Sequence, residues 1–237
     1  EYFGSESGPT GETRPGSVFV GDAQVVVFPV PTVLNTFTWV TSTPVLSLLN
    51  RKLARSGQAP VHASSVDDGE AHVTATAGWA VNEVFGWSSA QTQRKDETTE
   101  LAKRVAADFL PEGDEFETFR TKLERDLAVI SDTDLSINLQ HGTDVIPRVS
   151  LDENRQVRRG MLFFAEYLPA ETLLAAVLTF PDHDTLEMFQ MVCQEFPVMR
   201  LGGDQSIGKG VVWLRCEAAS SAGELAYDEE GAEDAAA

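Results

Sequence analysis

The sequence is poor in lysine: Lys52, Lys95, Lys103, Lys122 and Lys209 are the only five among 237 residues. Arginine brings the basic total to 18 against 37 acidic residues, for a formal net charge of −19. A nucleic-acid binder ordinarily carries a broad basic face, so this balance argues against a wholly basic surface while leaving room for local basic patches. The carboxylates are scattered as in salt-adapted proteins, where they keep the chain soluble; an acidic face built for a cationic partner is the alternative. Cysteine is nearly absent too. Cys193 and Cys216 lie in apolar surroundings and form no C-x-x-C pair, which excludes a thiol-rich metal site and fits two buried free thiols in a reducing compartment. No run approaches the about 18 apolar residues a membrane helix needs, and no basic-then-apolar leader opens the chain. A soluble cytoplasmic protein with no membrane partner is expected.

Catalytic signatures are equally scarce. His62, His72, His141 and His183 are dispersed, with no pair four residues apart and no H-E-x-x-H, so no metal site is expected. No G-x-S-x-G nucleophile elbow is present. The acidic clusters "DDGE" (67–70) and "YDEEGAED" in the tail read as solvated surface. No self-contained hydrolase is spelled out, and no cofactor is called for by these residues.

What is present is enough apolar material, 42% of residues, for one substantial core with a lobe inserted into it. Ser17–Val30, rich in valine and phenylalanine around Gly21 and Asp22, reads as a bulged strand or a hairpin central to a sheet. Thr36–Thr41 is a second strand, followed by a helix with Thr43 as cap, Pro44 in its first turn, Val45, Leu48, Leu49 and Leu53 on its inner face, and Gly57 at its end. From residue 58 to 134 the character changes. Ala71–Val84 alternates like a strand, "SSAQTQRKDETTE" is a polar loop tip, and helices are expected at Thr98–Leu110 and Asp114–Ile130. Phe116, Phe119, Leu123 and Leu127 stripe the second of these. Four segments result: 1–57 and 135–216 as the two parts of a core, 58–134 as an inserted helical lobe, and 217–237 as a disordered acidic tail.

Val145–Leu151 and Val157–Phe164 alternate on either side of "DENRQ" and read as a long β-hairpin. Arg148, Arg155, Arg158 and Arg159 all sit on it, a basic concentration in an acidic chain. It is either an electrostatic footprint for a polyanion or a hairpin balanced by Asp144, Asp152 and Glu153. Downstream, Thr172–Phe180 reads as a buried strand. Asp182–Glu195 reads as a helix offering Leu186, Phe189, Met191 and Val192 to the core.

The following stretch, "LGGDQSIGKGVVWLR" (201–215), holds most of the phosphate-loop pattern G-x-x-x-x-G-K-[ST]. Gly210 replaces the required hydroxyl, and Val211–Leu214 reads as a buried strand rather than the helix such a loop must open. A nucleotide site is therefore not expected. Gly202, Gly203, Gly208 and Gly210 can instead present backbone N–H groups to a phosphodiester, with Lys209 adding charge and Ser206 a hydroxyl. A tight connection forced by close packing is the other reading. The order strand, helix, glycine loop, strand fits the second half of a β-α-β-β-α-β fold.

Three stretches in order, "GDAQVVVFPVPTVLNTFTWVTSTPVL", "RVSLDENRQVRRGMLFFAEYLPAETL" and "LGGDQSIGKGVVWL", resemble the repeated backbone subunit of the type III-B (Cmr) CRISPR effector complex, in the RAMP superfamily. The resemblance spans roughly Tyr2–Leu214 and is loosest over 58–134. It implies an α+β, ferredoxin-like (RRM-like) fold with an inserted helical lobe and a β-hairpin thumb at Val145–Phe164. It further implies CRISPR guide RNA and target RNA as partners, further copies of the chain in a filament, and other Cmr complex subunits. The thumb arginines become phosphate contacts where the guide–target duplex is splayed, and the glycine loop becomes a guide-RNA contact. The family is a metal-dependent endoribonuclease whose catalytic aspartate loop would lie upstream of Glu1, so the catalytic residue here is unknown and a missing N-terminal segment is expected. Without its first strand, a ferredoxin-like sheet would have a central gap. Glu166 and Tyr167 resemble positions that assist cleavage. A non-catalytic RAMP-type RNA-binding scaffold is the alternative.

Overall fold

The computed structural model describes Gly4 and residues 16–32, 36–74 and 91–218. Most of the opening Gly/Ser/Glu stretch, most of the expected strand 71–84 and nearly all of the acidic tail lie outside the described residues. In chain order the strands and helices begin with β1 (Phe19–Val20), β2 (Gln24–Thr32), β3 (Thr36–Thr41), α1 (Thr43–Arg55), β4 (Ala71–Val73) and β5 (Thr92–Arg94). Next come α2 (Asp96–Phe109), α3 (Asp114–Arg125), β6 (Leu127–Ile130), α4 (Asp132–His141), β7 (Asp144–Leu151) and β8 (Val157–Tyr167). The chain continues through β9 (Leu173–Ala175), β10 (Leu178–Thr179), α5 (His183–Glu195), β11 (Val198–Arg200) and β12 (Val211–Trp213).

A six-stranded sheet in the order β5-β4-β6-β3-β2-β9 organises the molecule. The ladder is continuous, so the central gap expected for a missing strand is not among these six. β2 reads as an unbroken apolar run because both of its faces are covered: Val26, Val27, Phe28 and Val30 are all buried. Its Pro29 and Pro31 pair with Trp39 and Phe37 of β3. On the other side β9 pairs only from Gln24 to Val27, so neither proline has to donate to that ladder.

One core joins Val26, Val27, Trp39, Leu46 and Leu49 to Leu101, Val105 and Leu123; the other joins Phe28, Val30 and Val40 to Val73, Ile130 and Leu135. Residues 58–134 supply three of the six strands and both α2 and α3, and the core is continuous across residue 57. α2 lies close because Ala102 and Ala106 alternate with Leu101 and Val105 on its buried face. The terminal residues of α1 follow the expected punctuation, with Pro44 in the first turn and Gly57 at φ +64° beyond the end. Its N-cap position falls on Ser42, not Thr43.

Several expectations change in three dimensions. Ser17–Val30 is neither one bulged strand nor a hairpin: β1 pairs with β10, outside the main sheet, while β2 pairs with β3 and β9. Thr172–Phe180 likewise divides into β9 and β10, on two sheets. On α1 it is Leu46 and Leu49 that are buried, and Leu48 is exposed, because a run with leucines at 46, 48 and 49 offers two faces and only the sheet selects one. The polar stretch 88–100 contains β5 and the start of α2 rather than only a loop tip. The helix expected over 114–130 ends at Arg125. Leu127–Ile130 is instead the strand β6, parallel to β3 and antiparallel to β4. At the junction the Asp126 carbonyl accepts the Trp39 N–H at 3.0 Å. No element was expected where α4 lies; Ser131 caps it by accepting the Asp134 N–H at 3.0 Å. Met191 and Val192 of α5 are exposed, and Cys193 is the buried residue of that turn. Both cysteines are free. No described helix is long and apolar enough to cross a membrane.

β7 and β8 form a two-stranded antiparallel hairpin that joins no other sheet among the described residues. Val145, Val149, Leu162 and Phe164 on one of its faces are exposed, as is Phe163 on the other. The register jumps from Val149↔Leu162 to Leu151↔Val157, setting Ser150 of β7 against Arg158–Met161 of β8. At the tip, the Asp152 carboxylate accepts the N–H groups of Asn154 and Gln156, each at 2.9 Å, and Arg155 adopts φ +61°.

Candidate nucleic-acid interface

The glycine loop connects β11 to β12, two antiparallel strands, so it joins the arms of a small hairpin rather than a helix and a strand. No helix starts at its end, which removes the geometry of a nucleotide phosphate loop. The strand after it is also more exposed than expected: Val211 and Trp213 are 50% and 48% exposed. Trp213 meets Phe116 edge-on at 4.9 Å, and Arg215 donates to the Leu110 carbonyl at 2.9 Å, which ties this hairpin to α2 and α3.

The four glycines have two different reasons to be there. A Cβ on Gly210, at φ +72°, would lie 2.0 Å from the Leu201 carbonyl oxygen. That position is dictated by the close turn, in which the Leu201 N–H donates to the Gly210 carbonyl at 2.8 Å. Around Gly202, Gly203 and Gly208 a Cβ would meet nothing within 4 Å. These three leave the loop surface open. The N–H groups of Ile207, Gly208 and Lys209 are used inside the turn, donating to Asp204, Gln205 and Asp204 carbonyls. Among the described residues, the backbone N–H groups from Gly202 to Ser206 donate no hydrogen bond. Successive free N–H groups around a residue of positive φ form an anion-binding concavity, and Asp204 at φ +61° supplies that turn.

The fold then brings the loop to the base of the long hairpin. Arg148 of β7 and Tyr167 of β8 meet Asp204: Arg148 Nη1 lies 3.0 Å from Oδ1, and Tyr167 Oη donates to Oδ2 at 2.7 Å. Arg148 Nη2 also donates to Tyr167 Oη. Lys209 Nζ sits 4.4 Å from the centroid of the Tyr167 ring, and the Arg148 guanidinium 5.5 Å from it. The hydrogen bond from Tyr167, with that from Arg148, holds the Asp204 carboxyl below its usual range; desolvation and the bond to Asp204 push the Tyr167 hydroxyl up. The carboxylate thus stays charged and the phenol stays a donor near neutral pH.

Of the expected site residues, Arg148, Tyr167, Lys209 and the loop glycines are brought together. Ser206 is exposed on the same loop. Arg155 and Arg158 stand exposed towards the far end of the hairpin, about 10 to 15 Å from Arg148 at strand spacing, so the basic side chains divide between its base and its tip. Arg159 is on β8 beside them, its side chain outside the described set. Glu166 faces away from Tyr167, as neighbours on a strand must, and accepts the Thr143 hydroxyl at 2.6 Å. Asp204 was missed: it binds a hairpin residue 56 positions away, and only the Asp within a glycine-rich turn hinted at it. Among the described residues no group of three or more His, Cys, Asp or Glu side chains could hold a metal ion, so the divalent ion implied by the resemblance has no fitting ligand set there.

The class these features define is a mixed α+β protein with a separate two-stranded hairpin whose base meets a glycine-rich turn. The RAMP superfamily profile matches residues 1–213, and the chain belongs to that family. It is 25% identical over 203 residues to the CRISPR system Cmr endoribonuclease Cmr4 of Pyrococcus furiosus, covering 83% of this chain and 68% of that protein. Its fold is similar to the crystal structure of oligomeric Cmr4 from Pyrococcus furiosus (TM-score 0.61, 21% identity, 84% of this chain and 72% of that one). It is also similar to a chain of the type III-B Cmr-beta bound to cognate target RNA, solved by cryo-electron microscopy (TM-score 0.62, 16% identity, 89% and 73%).

Proposed function

We propose that the chain is a backbone subunit of a type III-B CRISPR ribonucleoprotein, stacking with further copies along the guide RNA and supporting target RNA cleavage. The observation that carries this reading is the joining of the hairpin base to a loop with five consecutive free N–H groups, a backbone-phosphate site beside a projecting arm. The six-stranded sheet is then part of the ferredoxin-like (RRM-like) core, and the hairpin is the thumb. Its exposed apolar side chains, Phe164 among them, fit contact with a neighbouring subunit or a splayed base pair. Arg155, Arg158 and Arg159 would hold phosphates near the tip, and Lys209 would hold one at the loop. The reading assigns RNA binding, not the cleaving group, to the described side chains.

Changing Arg155, Arg158, Arg159 and Lys209 together to glutamine should weaken binding of the full chain to guide RNA about 10- to 100-fold at moderate salt. The dependence of log affinity on log salt should flatten by about 2 to 3, near 0.7 per lost contact on a single strand. Equal affinity and slope for parent and variant across a salt titration would reject these contacts.

A further inference from the structure

We propose that Asp204 is a built-in anion mimic: in the RNA-free chain its carboxylate holds the place between Arg148 and Tyr167 that a phosphate of bound RNA takes. The proposal rests on the RNA-binding reading above and adds to it a control on the same site. A guanidinium N–H and a phenol hydroxyl converging on two oxygens of one anion form a donor pair that suits a phosphodiester. Here both donors are already engaged, at 3.0 and 2.7 Å, by the two carboxylate oxygens of Asp204. The unengaged N–H groups of Gly202 to Ser206 and the Lys209 ammonium lie on the same loop. Asp204 is the carboxylate that the described residues place against these donors, so the site is an anion site filled by the chain's own anion.

The contact is suited to being displaced. Arg148 and Asp204 side chains are 21% and 41% exposed, and pairs that open to water are weak. The open surroundings of Gly202, Gly203 and Gly208 give the loop room to move. A phosphate arriving with RNA takes the Arg148 Nη1 and Tyr167 hydroxyl donors, and Asp204 turns to solvent. Engagement of RNA at the glycine loop would then release the base of the hairpin, linking the loop to the basic tip about 10 to 15 Å further along the strands.

The test uses fluorescence anisotropy of the full chain with a labelled single-stranded RNA of mixed sequence, across a salt titration. Asp204→Asn keeps the size of the residue and its tolerance of positive φ, and its thermal melting should match the parent. Affinity should rise about three- to ten-fold, with a salt slope steeper by about 0.7 because no carboxylate is left to take up a cation. In an Arg148→Gln background the same change should gain less than about two-fold, there being no guanidinium to release. Unchanged or weaker binding by Asp204→Asn would overturn the proposal, as would an equal gain with and without Arg148, which marks a general charge effect. If parent and variants alike fail to bind, the RNA-binding reading falls and the mimic falls with it.

Discussion

The Asp126 carboxylate is buried where α3 gives way to β6, with Lys122 Nζ at 2.7 Å and Arg125 Nη2 at 2.8 Å. Burial works to raise its pKa, but hydrogen bonds from Arg125 and Lys122 outweigh that and hold it below the usual carboxylate range. The folded state therefore binds this proton less readily than the unfolded chain. The resulting stabilisation is complete above the ordinary Asp pKa of about 3.9 and is lost as the pH falls through the folded value. Asp126→Asn should cost about 2–4 kcal/mol at pH 7, with Lys122 left against the Phe37 ring, 4.5 Å from its centroid. Urea unfolding should show the gap between parent and variant closing below about pH 4; a constant gap would contradict the assignment. Of the two cysteines expected as buried free thiols, Cys193 is buried and Cys216 only half-buried. Only the structure brings them into contact, where burial and a hydrogen bond with Cys193 push the Cys216 thiol up to about 12.

Elements were legible where their signals were local. The strand Thr36–Thr41 and the helix from His183 to Glu195 follow from alternation and from Asp182, whose carboxylate accepts the Thr185 N–H at 2.7 Å. Leu127–Ile130 was not legible, because four apolar residues suit a buried helix turn and a buried strand equally. Vacant pairing positions between β3 and β4 decide it. α4 escaped for a different reason: its polar sequence lacks an apolar stripe, although Ser131 before Asp132 and Asp134 is a capping signal. The glycine loop permits a test at this scale. Gly210→Ala should destabilise the β11–β12 turn by about 2–3 kcal/mol, from positive φ and the clash with Leu201. Gly203→Ala, with open space around it, should change stability by less than about 0.5 kcal/mol yet weaken RNA binding by obstructing the backbone. Thermal melting and RNA titration of both variants would separate these roles. Equal effects on both measurements would show that the glycines serve one purpose.

For the whole molecule, a net charge of −19 sets two salt responses against each other. Self-repulsion among carboxylates opposes the compact state, and salt shortens its range from about 10 Å at 0.1 M to about 3 Å at 1 M. The melting temperature should therefore rise by several degrees over that range while RNA affinity falls. A melting temperature that falls with added sodium chloride would show that specific ion pairs outweigh the general repulsion. On the proposed function, the cationic side chains of one hairpin and one loop reconcile an acidic protein with a polyanionic partner, since screening leaves distant carboxylates with little effect there.

Interactions between near neighbours along the chain set the hairpin arms and their tip, the capped helix α5, the apolar run of β2 and the open character of the glycine turn at Gly202, Gly203 and Gly208. Tertiary structure alone decided which short strands share a sheet, which leucine of α1 faces inward, and that Arg148, Tyr167, Asp204 and Lys209 meet. The physical reason is range. Caps, alternation and turn chemistry act over a few residues and leave a pattern in the chain, whereas the Arg148–Asp204 contact spans 56 residues and exists only after both hairpins are placed.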